Sequence, residues 1–421
     1  MYVVVIPAIQ RSPLASPIFF INGGPGQGST DAASFYADAN NGYRLRHDIV
    51  LIDMRGTGQS NPLHCSQLER KRNLQQQFRE MYPLDAVKDC YDSLSQRADL
   101  TQYTTTHMAL DIEEVRKWLG YDKISLFGVS FGGRLAQVYM KMFPQATASC
   151  VLWSPTTTSS RMPLYHAQYA EESIHKIFKD CEGDPLCSAA FPGFRAEFTD
   201  LIRRGKEASF HCQYTKANGE TVDLVIPWYS FYTKIRFLMY SPWGIHQIPF
   251  IVHESYEGNW KVFVSLFPEA SFDNAIAEGL YLCVTCAEDV PYISDAEGDT
   301  LTRGTFMGDY RIQQQKNACS HWARGTIPDD YFEPVESKIP TLLFSGYFDP
   351  VTPPSMAKQI IQGLPNSYLI TIPAMSHSFD GLNNPACFDK MVIDFLDNPD
   401  ARPNSECVAG MVPGAYKTRG R

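Results

Sequence analysis

Ile124-Ser-Leu-Phe-Gly-Val-Ser-Phe-Gly-Gly133 joins an apolar strand pattern to a helix pattern through Gly-x-Ser-x-Gly. Glycines flank Ser130 because a strand-to-helix turn this tight has no room for neighbouring Cβ atoms. The turn leaves the serine hydroxyl exposed at the carboxyl end of the strand, next to a helix N-terminus. A serine hydroxyl is a poor nucleophile without a base, and the base needs an orienting acid. Both partners are expected later in the chain, in the order serine, acid, histidine, each just past a strand.

Both are present. After the apolar run Thr341–Ser345 comes Gly346-Tyr-Phe-Asp349-Pro-Val-Thr-Pro353, and after Tyr368–Ile372 comes Pro373-Ala-Met-Ser-His377. Asp349 is expected to hold Nδ1–H of His377, whose Nε2 takes the Ser130 proton and later passes it to the leaving group. None of the other nine histidines follows a late strand pattern. The developing oxyanion needs two backbone donors. Phe131, directly after the nucleophile, supplies one. The other is expected from Ile21-Asn-Gly-Gly-Pro-Gly26, after an early strand; Pro25 has no N–H, so the donor is Gly24 or Gly23, and Gly24 is assigned. No metal or organic cofactor is called for.

Tyr2–Ile6, Pro17–Ile21, Asp48–Ile52, Lys123–Phe127 and Ser149–Trp153 read as buried strands, with helix patterns at Thr106–Leu119 and Gly132–Phe143. Alternation of this kind predicts a mostly parallel sheet covered by helices on both faces. From about Thr156 the pattern becomes helical and aromatic, at Leu164–Lys179, Phe194–Arg204, Trp228–Tyr240, Gly244–Glu254, Trp260–Phe267 and Thr305–His321, with a hairpin around Asn218-Gly219. Strands return at Pro340–Ser345 and Tyr368–Ile372, before a closing helix at Phe388–Phe395. The expected organisation is an α/β core in two parts, 1–155 and 336–421, interrupted by a mainly helical cap at 156–335.

The 421 residues, 44% of them hydrophobic and 20% charged, describe an ordinary globular chain. No apolar run approaches the roughly 20 residues of a membrane helix. A net charge of −9 offers no broad basic surface, so nucleic acid is excluded as a partner. Eleven cysteines are many for a cytosolic chain. Pairs Cys181/Cys187, Cys65/Cys90 and Cys387/Cys407 bracket short segments suited to disulfides, whereas Cys283-Val-Thr-Cys286 lacks the companions of a zinc site. These cysteines favour an oxidising compartment. The opening Met1-Tyr-Val-Val-Val-Ile6 has no basic n-region or cleavage site, so either the chain stays inside the cell or it represents a mature or shortened form.

Gly23-Gly-Pro-Gly26, Asp53-Met-Arg-Gly-Thr-Gly-Gln-Ser60, Gly128-Val-Ser-Phe-Gly-Gly133, Asp349-Pro-Val-Thr-Pro353 and His377 together resemble the α/β-hydrolase peptidases related to proline iminopeptidase. The cysteines and the late acid motif look most like the secreted bacterial tripeptidyl-aminopeptidase branch. The resemblance covers nearly the whole chain, specifically in the core and diffusely in the cap. It implies an α/β-hydrolase fold and a serine exopeptidase, secreted or periplasmic, that removes single residues or short peptides from free amino termini. Two departures are Asn22, where proline iminopeptidases usually carry His, and the lack of the leader and extra early strand of the branch. Asn22 counts against a single-proline specificity. In the family the Asp53–Ser60 turn shapes the loop beside the oxyanion segment, so Asp53 and Arg55 are expected to make an ion pair or backbone bonds.

An exopeptidase must recognise a substrate ammonium, which in a partly desolvated cleft requires carboxylates. Glu288 and Asp289, in an acidic turn like that of the tripeptidyl-aminopeptidase relatives, are the first candidates, and Glu171 and Glu172 the second. Trp228, Tyr229, Phe231 and Trp243 are expected in the cap core. The competing reading is an esterase or lipase-like hydrolase acting on small acyl esters, because the same constellation cleaves esters. Oligomeric state is not legible in the sequence.

Overall fold

The computed structural model describes residues 1–12, 15–68, 73–267 and 276–419. Seven strands form one sheet: β1 (Tyr2–Ile6), β2 (Ile18–Ile21), β3 (Ile49–Asp53), β4 (Ile124–Val129), β5 (Thr147–Trp153), β8 (Thr341–Gly346) and β9 (Ser367–Ile372), in the order β1-β3-β2-β4-β5-β8-β9. Every pairing is parallel except β1 with β3, at one edge. The five inner strands are mostly apolar because both faces of the sheet are covered there, whereas the edge strands β1 and β9 each leave residues exposed. Phe19, Ile21, Val50, Ile52, Leu126, Leu152 and Leu343 face one core, while Ile18, Phe20, Leu51, Phe127, Val151, Leu342 and Phe344 face the other. Burying each such side chain contributes about 1.5–3 kcal/mol.

The first core is covered by α1 (Leu84–Ser95), α2 (Thr105–Trp118) and α3 (Phe131–Met142). Between β5 and β8 the chain runs through a mostly helical stretch. It contains α4 (His166–Gly183), α5 (Phe194–Glu207), the antiparallel hairpin β6 (Phe210–Thr215) and β7 (Thr221–Ile226), α6 (Trp228–Leu238) and α7 (Ile248–Tyr256). These pack on one another through Ile174, Phe178, Phe198, Phe231, Ile235 and Ile251, and Trp243 stands exposed instead of in their core. The stretch is not one packing unit. Helix α8 (Glu278–Glu288) belongs to the core beneath the sheet, where Leu280, Leu282, Val284 and Cys286 join residues of α1 and α2. Helices α9 (Tyr310–Cys319), α10 (Pro354–Ile360) and α11 (Ala386–Asp397) complete the chain.

The continuous helix expected over Gly244–Glu254 is instead two, Pro242–Ile245 and Ile248–Tyr256. Pro249 has no N–H to donate and therefore sits in the first turn of a new helix. Likewise Thr305–His321 is helical only from Tyr310, because Gly308 takes a left-handed φ of 56° just before it.

Four disulfides are formed: Cys65–Cys90, Cys181–Cys187, Cys286–Cys319 and Cys387–Cys407. The bridge from Cys286 in α8 to Cys319 in α9 was not foreseen. Its neighbour Cys283 is a free thiol, buried with Cys150, while Cys212 is the third free one. Intact mass after alkylation of the unfolded chain should show three labels before reduction and 11 after it. Eleven labels without reduction would show that the bridges do not form. No helix among the described residues is long and apolar enough to cross a membrane.

Candidate active site

Ser130 stands between β4 and α3 with φ 54° and ψ −115°, a conformation a non-glycine residue adopts only when its surroundings hold it there. Its N–H donates to Trp153 O at 2.9 Å, and its carbonyl accepts from Gly133 N at 2.9 Å and Thr156 N at 3.1 Å. The flanking glycines are steric necessities. A Cβ at Gly128 would lie 2.3 Å from Gly132 O, and one at Gly132 would lie 2.2 Å from Ile21 O. Phe131 opens α3, where the first backbone N–H groups have no intrahelical acceptor.

The loop after β2 runs alongside. A Cβ on Gly23 would meet Ser130 Cβ at 3.2 Å, and Gly24 has φ 112° and a cis bond to Pro25. Gly23 N–H donates to Asn22 Oδ1 at 2.8 Å, so of the two candidate donors in this loop Gly24 is the one not engaged by Asn22. Asp53 holds the loop from behind, accepting from Thr30 N, Thr30 Oγ1 and Gln59 N at 2.8–2.9 Å. Arg55 forms a bidentate pair with Asp111, both bonds 2.6 Å. Both residues are thus bonded structurally, as expected for this turn.

Asp349 and His377 lie past the carboxyl ends of β8 and β9, in the same parallel sheet as the Ser130 turn and on the same end of it. His377 Nδ1 is 2.8 Å from Asp349 Oδ2, the geometry for Nδ1–H to donate to the carboxylate. The other oxygen, Oδ1, accepts from Val351 N at 2.7 Å and Thr352 N at 2.8 Å. Burial by itself would raise the Asp349 pKa, but His377 and the bonds from His377 and Thr352 hold it below the ordinary carboxylate value. Asp349 is therefore an ionised acceptor. Helix α4 supports its loop, with Ser173 Oγ donating to Phe348 O at 2.6 Å.

Two hydroxyls that the sequence reading passed over tie these parts together. Thr352 Oγ1 lies 2.7 Å from Asp349 Oδ2, 2.9 Å from Ser154 O and 3.2 Å from His377 Nδ1. Ser154, at the end of β5 with φ 44°, donates Oγ–H to His377 O at 3.1 Å. The end of β5 therefore carries hydrogen bonds from the Ser130 turn through Trp153 and to the His377 loop through Ser154. The sequence signal was Thr352 three residues after the acid and Ser-Pro directly after β5.

The acids expected to meet a substrate ammonium are placed differently. Glu288 and Asp289 are 0% exposed, and their oxygens are taken. Glu288 accepts from Thr105 N at 2.5 Å, Thr105 Oγ1 at 2.6 Å and Tyr331 OH. Asp289 pairs bidentately with Arg134 at 3.0 and 3.1 Å and accepts from Met162 N at 3.0 Å. That expectation is corrected: α8 drives its last residues into the protein, and the two carboxylates brace α3 against α2. Glu171 accepts from Phe306 N at 2.8 Å and His175 Nε2 at 3.1 Å, and Glu172 pairs with Gln168 on the exposed side of α4.

Residues 16–179 match the family model of the alpha/beta hydrolase fold, and residues 304–407 match that of TAP-like proteins. The chain belongs to the α/β hydrolases. Proline iminopeptidases are among the proteins it resembles. A proline iminopeptidase of Xylella fastidiosa is 28% identical over 34% of this hydrolase, a stretch that spans only 33% of the relative. A "Probable proline iminopeptidase" of Leptolyngbya boryana is 21% identical over 87% of the hydrolase and 83% of its own length. The serine protease Hip1 of Mycobacterium tuberculosis is 24% identical over 39% of the hydrolase and 35% of its own length. Among solved structures, the proline iminopeptidase of Mycobacterium smegmatis aligns over 94% of both chains, with a TM-score of 0.45 and 13% identity.

Proposed function

We propose that this hydrolase is a serine peptidase that removes single residues or short peptides from free amino termini through an acyl-enzyme on Ser130. The observation that carries the reading is the hydrogen-bonded Asp349–His377 pair at the same end of the sheet as the strained Ser130 turn. In this mechanism Ser130 Oγ attacks the scissile carbonyl while its proton passes to His377 Nε2. The carbonyl electrons move onto the oxygen, which Phe131 N–H and Gly24 N–H receive. As the C–N bond breaks, His377 returns the proton to the departing amine. Water then repeats the sequence on the acyl-enzyme, restoring Ser130 and releasing the acid. Asp349 stays ionised throughout, holding the imidazole in the tautomer that keeps Nε2 free to accept.

The peptide preference draws support from relatives named as proline iminopeptidases and a serine protease. The four disulfides fit action in an oxidising compartment outside the cytoplasm. A second reading, an esterase for small acyl esters, is favoured by one observation: Glu288 and Asp289, the first candidates to bind an ammonium, are sealed inside. Release of nitroaniline from tripeptide and single-residue substrates, each with a free or acetylated amino terminus and with Ser130→Ala as blank, separates the two. A preference for the free amine of at least about tenfold, the worth of one charge-assisted hydrogen bond, is expected. Equal turnover of the acetylated forms would reject the aminopeptidase reading, and turnover of nitrophenyl esters alone would establish the esterase.

A further inference from the structure

The end of α6 is fastened to the His377 loop on both sides of the histidine. Ser376 Oγ donates to Met239 O, Ser378 N donates to Tyr240 O at 2.8 Å, and the Tyr240 ring meets the His377 ring edge-on at 5.1 Å. One turn back along α6 lies Arg236, its guanidinium 5.4 Å from the Tyr240 ring centre and its Nη1 3.3 Å from Tyr240 OH. Arg236 is only 5% exposed, and its Nε and Nη2 have no hydrogen-bond partner. Among the described residues no carboxylate pairs with it.

A second basic side chain stands in the same condition nearby. His166, the first residue of α4, is 8% exposed, with neither ring nitrogen bonded. Burial, together with Arg236, Arg311 and His377 close by, pushes its pKa well below the ordinary imidazole value, so the ring is neutral. Arg311 has bonds of its own, to Tyr281 OH at 2.9 Å and Gln315 Oε1 at 3.2 Å. A buried guanidinium with two unmet donors and no counter-charge is costly, and so is a buried imidazole with two unmet nitrogens. Around Tyr240 and His377 the protein thus keeps two basic groups, Arg236 and His166, whose hydrogen bonds it does not complete itself.

We propose that Arg236 and His166 form a subsite for a carboxylate of the substrate, seated beside His377. The planar guanidinium fork matches a carboxylate with two parallel N–H···O bonds, and a neutral imidazole N–H offers a third donor. An ammonium group placed there would be repelled, so this subsite reads the acidic end or side chain of a short peptide and not its amine. It rests on Ser130 and His377 being the reacting pair and narrows the substrate class they serve. The carboxylate has two possible sources, the free carboxyl terminus on the leaving side or an acidic side chain on the acyl side.

Two matched pairs on the wild-type protein separate them: the dipeptide Ala-Ala against its carboxyl-terminal amide, and Glu-nitroanilide against Gln-nitroanilide. The charged member of one pair should show a kcat/KM higher by at least about tenfold, as expected for a charge-assisted bidentate contact. Arg236→Gln should shrink that ratio to about threefold or less, and Arg236→Lys, which keeps the charge but not the fork, should fall between. Acetate should slow fluorophosphonate labelling of Ser130 in the wild type and fail to do so in Arg236→Gln. This last comparison reads the subsite without turnover, and unchanged circular dichroism establishes that the variant is folded. Turnover in the wild type with ratios near one in both pairs, and no protection by acetate, would overturn the subsite while leaving the serine mechanism standing. Failure of Ser130 to react with fluorophosphonate at all would overturn both.

Discussion

Ser130→Ala is expected to lower kcat for every substrate the hydrolase accepts by a factor on the order of 10⁴–10⁶, the usual cost of losing a serine nucleophile. KM should change little, because the hydroxyl contributes bond-making and not uniform binding. The rest of the turn is held by backbone bonds to Trp153 O, Gly133 N and Thr156 N, none of which uses the side chain, so the variant should fold. Asp349→Asn should cost on the order of 10⁴, because the amide's NH₂ would face the Nδ1 that must carry hydrogen, favouring the wrong tautomer. Thr352→Val removes the hydroxyl near both Asp349 Oδ2 and Ser154 O but leaves the two backbone donors to Oδ1. Its expected loss is far smaller, on the order of tenfold to a hundredfold, in kcat and not KM. Single-turnover kinetics with a nitrophenyl ester would check the series. Residual activity of Ser130→Ala within tenfold of the wild type would move the nucleophile elsewhere and end the triad assignment.

How much of this was legible in the sequence followed from periodicity. Strands buried on both faces show as unbroken apolar runs, and all seven strands of the main sheet were marked to within about two residues. Helices with one wet face, such as α2 with Met108, Ile112 and Val115 inside, show as a stripe. Helix α8 has no wet face: Leu280, Tyr281, Leu282, Cys283, Val284, Cys286 and Ala287 are all buried. It therefore offers no stripe for periodicity to show, and its terminal Glu288 and the following Asp289 read as an acidic turn open to substrate. The same blindness hid Cys319 as the partner of Cys286, since no local spacing brings residues 33 apart in sequence together. Short local bridges such as Cys181–Cys187 needed only a turn between them. Asp349 and His377 were marked because strand ends announce them, whereas Thr352, Ser154 and Arg236 act through contacts that only the assembled loops create.

Arg134→Met is expected to be the most damaging single change to stability. Arg134 sits one turn past Ser130 in α3, fully buried, bonded to both oxygens of Asp289, to Ser160 Oγ at 2.9 Å, and 3.7 Å from Glu288 Oε2. One cation thus faces two enclosed carboxyls. Burial raises the pKa of both Glu288 and Asp289, and Arg134 opposes it. Removing the cation while leaving both acids should cost about 3–5 kcal/mol in unfolding free energy. The pH dependence has a definite sign. A carboxyl whose folded pKa lies above its unfolded value, about 4, stabilises the fold below that value and loses the contribution as pH rises through the folded one. Without Arg134 the folded values rise further, so the deficit relative to wild type should be largest near pH 8 and shrink towards pH 5. Adding Asp289→Asn to Arg134→Met should recover part of the loss, because a buried amide carries no charge to desolvate. Urea unfolding of the wild type and both variants at the two pH values measures this directly. A loss below about 1 kcal/mol at pH 8, within the range of an exposed pair, would mean that solvent reaches the cluster. In that case Glu288 and Asp289 would again be open to a substrate's amino group.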